Sequence, residues 1–393
     1  ILSGTGSVDP WITFLQNLTI TDLIYSSFLY LFSCVFLAAG YLVPSPHKTL
    51  SFFPNYSNII FHNKRKLNII QTKLLLVTII SVISFIYYVY SSVPSIMSNI
   101  FIENLSGYRG VSSDIQNYSA RGYLRFLIGL SQIVLFTSLY MLYCKQGSRF
   151  LLYILVTLSF IIAFSMSVFT SSRANLIMIF IQILILKSLT QKKGVSITAL
   201  LLYGFLIFFF FTFMTMLRAG SGLTINDTQN MLMNFFSHVI VNNGGIDLSK
   251  TILVKYYVDQ TFNLKFGSTL LLFIVLAVPR AFWSGKPTNL DTFIGHEVYG
   301  SSAYGTGAVP PGFVAEMYLN FHYGGVIFGL FALGYITRLL HNDFEKRKHI
   351  EFYPLYFVLV ILNFLYSVMG SGFSSTVMSS LMNLLPILFF IRR

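Results

Sequence analysis

The sequence predicts an all-α, polytopic membrane helix bundle, and three observations carry the prediction. The first is composition. Of 393 residues, 55% are hydrophobic, 17% aromatic and only 10% charged, with a mean hydropathy of +0.70. Soluble domains average about 25% charged residues, so this chain cannot cover a water-exposed globule of its length. Forty Phe and 24 Tyr also exclude a disordered chain. The second is a recurrence of apolar runs of 16 to 25 residues, the length a bilayer core demands of a helix. The third is the regular alternation of the basic loops between those runs.

The apolar runs span 23–43, 68–90, 123–143, 150–169, 174–189, 195–217, 314–338, 353–370 and 375–391. Lys187 lies within the short run 174–189 and can snorkel to the interface. The run 268–279 is too short to cross and ends at Pro279, so it reads as a re-entrant or interfacial helix. The chain begins at Ile1, and residues 1–22 are polar and carry Asp9 and Asp22. They read as an external loop, with a further helix expected to precede them, for about 9–10 transmembrane helices.

Cations set the orientation. Lys48, Lys64, Arg65, Lys66, Lys73, Lys145, Arg149, Lys187, Lys192, Lys193, Arg338, Lys346, Arg347, Lys348, Arg392 and Arg393 all fall on one side if 268–279 does not cross. The positive-inside rule makes that side cytoplasmic, and the C-terminus with it. These sixteen cations, against Asp343, Glu345 and Glu351, account for the whole net charge of +13. The excess is therefore an orientation signal and not a nucleic-acid footprint. Cys34 and Cys144 lie in apolar runs without CxxC or Cys/His spacing, which argues against a disulfide framework or a metal site. There is no internal repeat. The whole chain 1–393 reads as one membrane domain, with an elaborated outer loop region at 218–313.

The outer side has no net charge but holds Arg109, Arg121, Arg125, Arg173, Arg218 and Arg280. Each offers a planar fork matched to phosphate or carboxylate. Arg121 and Arg125 also fit as interfacial anchors. Arg173 follows Thr170-Ser171-Ser172 and opens a helix, where free backbone N–H groups already favour an anion. Arg218 closes a helix, so capping is an alternative there. Arg280 and Lys286 lie six residues apart in Val278-Pro279-Arg280-Ala281-Phe282-Trp283-Ser284-Gly285-Lys286-Pro287. Trp283 suits the headgroup level or a stacked sugar.

Asp291, His296-Glu297 and a Gly/Tyr/Ser stretch containing Tyr299 and Tyr304 follow. Glu316 lies one turn inside an apolar helix, where a carboxylate is costly and a functional candidate by default. Asn320 shares its face at i+4, and Tyr318 does not. A structural pairing of Glu316 with an outer arginine stands equal to a catalytic role. His238 and His296 are lone histidines, each open to a structural or a catalytic reading. No HxxxH, HExxH or DxD pattern is present, so any diphosphate chemistry falls to Arg and Lys.

Ser172-Arg173 at a helix start, Pro-Arg-x-Phe-Trp-x-x-Lys-Pro at 279–287 and Pro-Gly-Phe-x-x-Glu-x-Tyr-x-Asn-Phe at 311–321 resemble the bacterial O-antigen polymerase (Wzy) group of oligosaccharide repeat-unit polymerases. The likeness is detailed over about 170–335 and only topological elsewhere. His322 stands where the resemblance leads one to expect Gly, a departure expected to affect helix packing only.

The resemblance implies a GT-C-like inner-membrane glycosyltransferase with a periplasmic active site and no cofactor or metal. Its substrates would be undecaprenyl-diphosphate-linked glycans, and a chain-length regulator in the membrane would be its partner. Arg173, Arg218, Arg280 and Lys286 would hold diphosphate. Glu316 would be the base or an arginine-orienting partner, with His296, Asp291 and His238 in reserve. Trp283, Tyr299, Tyr304, Tyr318 and Asn320 would contact sugar. An O-antigen ligase is the nearest rival reading. A lipid-linked oligosaccharide flippase is a second, which internal duplication and midplane charges would favour.

Overall fold

A computed structural model describes residues 20–44, 64–92, 115–169, 173–191, 194–219, 248–276, 278, 282–283, 285–298 and 309–391. The described residues are helical and contain no strand. The helices are α1 (Ile20–Leu42), α2 (Lys64–Ser92), α3 (Ile115–Tyr143), α4 (Arg149–Phe169), α5 (Arg173–Gln191), α6 (Ile197–Ala219), α7 (Leu248–Thr261) and α8 (Ser268–Leu276). The short α9 (Leu290–Phe293) runs into a π-turn (Ile294–Val298), and the long α10 (Phe313–Arg347) follows. The span Tyr353–Gly370 is α11, and α12 is Phe373–Ile391.

Six helices are long and apolar enough to cross a membrane: α1, α2, α3, α4, α10 and α11. Three shorter apolar stretches, Asn175–Gln191, Ile197–Phe210 and Phe373–Phe389, occupy the other expected positions. The 268–279 run forms only the nine-residue α8. The chain is a multi-pass membrane bundle.

The distribution of side chains shows why. Tyr25, Phe28, Leu31, Phe32 and Val35 all point outward from α1, and Phe150, Tyr153, Ile154, Leu158 and Ile161 from α4. Hydroxyls face inward and return their hydrogen bond to the carbonyl one turn back. Ser33 donates to Leu29 at 2.7 Å, Thr78 to Leu74 at 2.8 Å, Thr137 to Ile133 at 2.7 Å and Ser167 to Ala163 at 2.9 Å. A protein in water shows the reverse pattern. Lipid permits this one, because every buried polar group must be satisfied internally.

Contacts sort the helix termini into two ends. At one, Lys73 donates to the Phe389 carbonyl at 2.9 Å and Tyr140 Oη accepts from Phe352 N–H at 2.9 Å. There also Arg347 pairs with Asp343 at 2.9 Å, and the Arg338 guanidinium lies over the Tyr41 ring. This is the basic end. At the other, α7, α8 and α9 pack against the first turns of α10 and α12 around Val254, Leu290, Phe313, Tyr318 and Leu319. Counting back from Arg338 along unbroken helix reaches His322 after 16 residues, about 24 Å and most of a bilayer core. The first turns of α10 therefore lie at the far boundary, beside the elaborated loop.

Two local devices hold the bundle together. In α11 a π-segment, Phe357–Leu362, shifts the carbonyls out of α-helical register. Side-chain amides meet them: Gln182 donates to Val358 at 3.1 Å and Asn383 to Leu359 at 3.2 Å. α1 and α10 run side by side in backbone contact. A Cβ on Gly334 would overlap the Leu37 carbonyl oxygen, and one on Gly40 the Phe331 carbonyl oxygen. Small residues permit such close approach between membrane helices. Gly334→Leu is expected to force the pair apart and cost about 1–3 kcal/mol, the usual range for overpacking. Unfolding of the reconstituted variant by denaturing detergent would measure it.

Candidate functional site

The far end gathers residues from four separated parts of the chain. Gly312, with φ 79°, starts α10 by bringing its backbone against the Met369 carbonyl, a position where a Cβ would collide. This joins the first turn of α10 to the end of α11. Glu316 then falls inward and is 0% exposed. One carboxylate oxygen accepts from Thr269 Oγ1 of α8 at 2.9 Å. The other accepts from the Phe373 backbone N–H of α12 at 2.5 Å. That N–H belongs to a helix N-terminus, where a carboxylate is favoured.

Asn320, on the same face as expected, completes the network. Its Nδ2 donates to Thr269 Oγ1 at 2.6 Å and to the Glu316 carbonyl at 2.8 Å. Its Oδ1 accepts from Gly267 N–H at 2.8 Å. Ser374 adds a bond to the Leu270 carbonyl at 2.9 Å. Glu316 is thus a clamp across α8, α10 and α12, buried, with one donor on each carboxylate oxygen. Among the described residues, the donors to its carboxylate are Thr269 and Phe373 rather than the expected arginine.

Tyr318 faces the other way, toward α7. Its hydroxyl donates to Asp259 Oδ1 at 2.8 Å and lies 2.8 Å from His322 Nε2. Asp259 Oδ2 accepts from Lys255 at 2.5 Å. Burial works against ionisation of Asp259, but hydrogen bonds from Lys255, Tyr318 and His322 and the charge of Lys255 hold it below the usual carboxylate range. His322 interrupts α10. It adopts φ 56°, ψ −145°, after Phe321 at φ −140°, ψ 19°. Side chains other than glycine enter that region at about 1–3 kcal/mol. The departure from the expected Gly therefore does more than alter packing: it sets an imidazole at a strained break in the helix.

Asp291 neighbours the same junction. Its Oδ1 is buried and no described donor reaches it in good geometry. Burial lifts its carboxyl to about 6, against the opposing pull of Lys250 and the Gly372 backbone N–H. In the folded chain Asp291 therefore keeps its proton to higher pH than in the unfolded chain. That contribution to stability is complete below about pH 4 and is lost as pH rises through about 6. Asp291→Asn is expected to lack this loss and to be more stable than the parent at pH 7, by about 1–3 kcal/mol. Melting curves from pH 4 to 8 would show the two chains diverging as pH rises. Parallel curves would contradict it.

Lys286 turns back to cap α8. Its ammonium donates to the Leu276 and Val278 carbonyls, at 2.8 Å each. The resemblance implies a diphosphate contact for Lys286; in the structure two of its hydrogens go to carbonyls at the end of α8, as the dipole favours. His296 is partly exposed, with Nδ1 3.3 Å from Glu297 Oε1. Trp283 is 43% exposed, beside Phe282 at 85%. Arg125 bonds Tyr88 Oη at 3.3 Å and lies over its ring, the behaviour of an interfacial anchor.

Arg173 opens α5 and Arg218 lies in the last turn of α6. The helices are antiparallel neighbours, packed through Phe180 against Tyr203 and Phe210, so both arginines belong to one end of the pair. The side chains of Arg173 and Arg218 lie outside the described residues, as do Arg280, His238, Tyr299 and Tyr304. Among the described residues no three His, Cys, Asp or Glu side chains group as a metal site. No protein-family model, curated protein or solved structure matches the chain.

Proposed function

We propose that this chain is a GT-C-like membrane glycosyltransferase that polymerises undecaprenyl-diphosphate-linked repeat units into O-antigen or a similar surface polysaccharide. In this reading it resides in the bacterial inner membrane, with the basic end cytoplasmic and the α8–α10–α12 junction periplasmic. The observation that carries it is the meeting of the two motif segments. Lys286, of the 279–287 motif, donates to carbonyls at the end of α8, and α8 is tied by Thr269 to Glu316 of the 311–321 motif. Residues that resemble one family's motifs thus converge at one membrane boundary, opposite the cationic end.

The chemistry follows from the leaving group. Departure of a lipid diphosphate develops negative charge that fixed cations stabilise. Arg173, Arg218 and Arg280 supply them in this proposal, and Trp283 and Tyr304 line the sugar path. The acceptor hydroxyl needs a base, and transfer with inversion needs no covalent intermediate. A membrane-bound regulator of chain length is the expected protein partner.

Deletion in the source bacterium tests the function. Loss of a polymerase leaves single repeats on the surface lipid, and re-expression restores a ladder. Loss of a ligase leaves the lipid with no repeats, which would overturn the proposal in favour of that rival.

A further inference from the structure

We infer that His322 takes the proton from the attacking sugar hydroxyl through its Nδ1, with Tyr318 and Asp259 as its positioning residues. This rests on the polymerase reading above and names the base within it. Three observations lead there.

The first is an ordered break. Interrupting α10 at Phe321–His322 frees the Leu319 and Asn320 carbonyls from their helical partners. The loop after α7 takes them up: Lys265 N–H donates to Leu319 at 3.1 Å and Phe266 N–H to Asn320 at 3.2 Å. A frayed helix would leave those carbonyls to water. This one is stitched open, and it holds His322 against the rings of Tyr318 and Tyr323, at centroid distances of 4.5 and 4.6 Å.

The second is the direction of the hydrogen bonds. The Tyr318 hydroxyl has one hydrogen and gives it to Asp259 Oδ1 at 2.8 Å. At 2.8 Å from His322 Nε2 it can then only accept, so Nε2 carries the ring hydrogen. Nδ1 is left with a lone pair, and no described residue bonds it. A base oriented through its other nitrogen by a hydrogen-bonded carboxylate is a recurrent catalytic arrangement. Here a phenol stands between the two. The carboxylate is itself only 3.5 Å from Nε2, close enough to stabilise the imidazolium that forms.

The third is access. The His322 side chain is 43% exposed, whereas Glu316 is fully buried with both oxygens occupied. His296 Nδ1 lies 3.3 Å from Oε1 of the exposed Glu297.

In the step, the acceptor O–H gives its proton to Nδ1, and the oxygen's electron pair forms the bond to the donor's anomeric carbon. The bond from that carbon to the diphosphate oxygen breaks, and its electron pair leaves with undecaprenyl diphosphate. The imidazolium then returns its proton to water.

The helix break makes a clean test available, because glycine occupies φ 56° without strain. The full chain in nanodiscs would be supplied with purified undecaprenyl-diphosphate-linked repeat unit, and chain extension followed. His322→Gly is expected to fold, to lose about 100-fold or more in rate, and to regain activity when imidazole is added. Tyr318→Phe is expected to lower kcat with KM unchanged. A His322→Gly chain that extends polymer at the parental rate would overturn the inference. So would one that melts as a folded protein, is inactive and gains nothing from imidazole. If the unmodified chain extends nothing, the polymerase reading falls, and this assignment with it.

Discussion

Glu316→Ala is expected to destabilise the far end of the bundle by about 2–5 kcal/mol, because two donors are left without their acceptor. The Phe373 N–H and the Thr269 hydroxyl would both lose their acceptor in a site that water does not reach. Each buried orphan costs about 1–3 kcal/mol. Asn320 would also lose the orientation of the hydroxyl it bonds. Glu316→Gln keeps one carbonyl oxygen for Phe373 and turns an amide toward Thr269, whose oxygen can accept from it. Its expected cost is about 1–2 kcal/mol, with polymerisation retained. Thermal melting in nanodiscs, paired with the extension assay, separates a clamp from a base. A Gln variant that melts like the parent but loses about 100-fold in rate would make Glu316 the base.

Arg280→Ala and Arg173→Ala are each expected to lower polymerisation by about 100-fold or more, the scale of removing one fixed charge from a developing anion. Arg280→Lys should recover only part, because a point charge does not reproduce a bidentate fork. Complementation of a deletion strain would read this as collapse of the polymer ladder to short chains. Full-length polymer from both Ala variants would remove the arginine clamp from the proposal. Lys286→Ala should act differently. Its ammonium caps the Leu276 and Val278 carbonyls, so it should loosen the end of α8, with the loss appearing in melting as well as in rate.

The sequence made the bundle legible because lipid enforces a simple rule. A run that crosses must be apolar and near 20 residues long, and basic loops mark one side. The short α8 and the long α10 both emerged from run length. The site was less legible, for a reason of distance. Asn320 could be placed beside Glu316 from helical periodicity alone. Their other partners could not: Thr269 lies 47 residues from Glu316, Phe373 lies 57 from it, and Asp259 lies 59 from Tyr318. No local pattern marks a backbone N–H at the start of α12 as the partner of a carboxylate in α10. The contacts of Lys286 were hidden for a related reason. Its spacing from Arg280 looked like a clamp, but the acceptors are carbonyls eight and ten residues before it. The break at His322 did have a visible signal. A histidine where glycine was expected marks a positive-φ position, and a bulky side chain held there calls for a reason.

The proposed function rests on what the far end would do to a lipid-linked glycan. The most direct measurement supplies the purified chain, in nanodiscs, with only undecaprenyl-diphosphate-linked repeat units and resolves the products by size. The expected product is a ladder of glycans growing by whole repeat units on the lipid diphosphate, with release of undecaprenyl diphosphate. Single repeats that remain unextended, yet pass to an added lipid A–core acceptor, would contradict it.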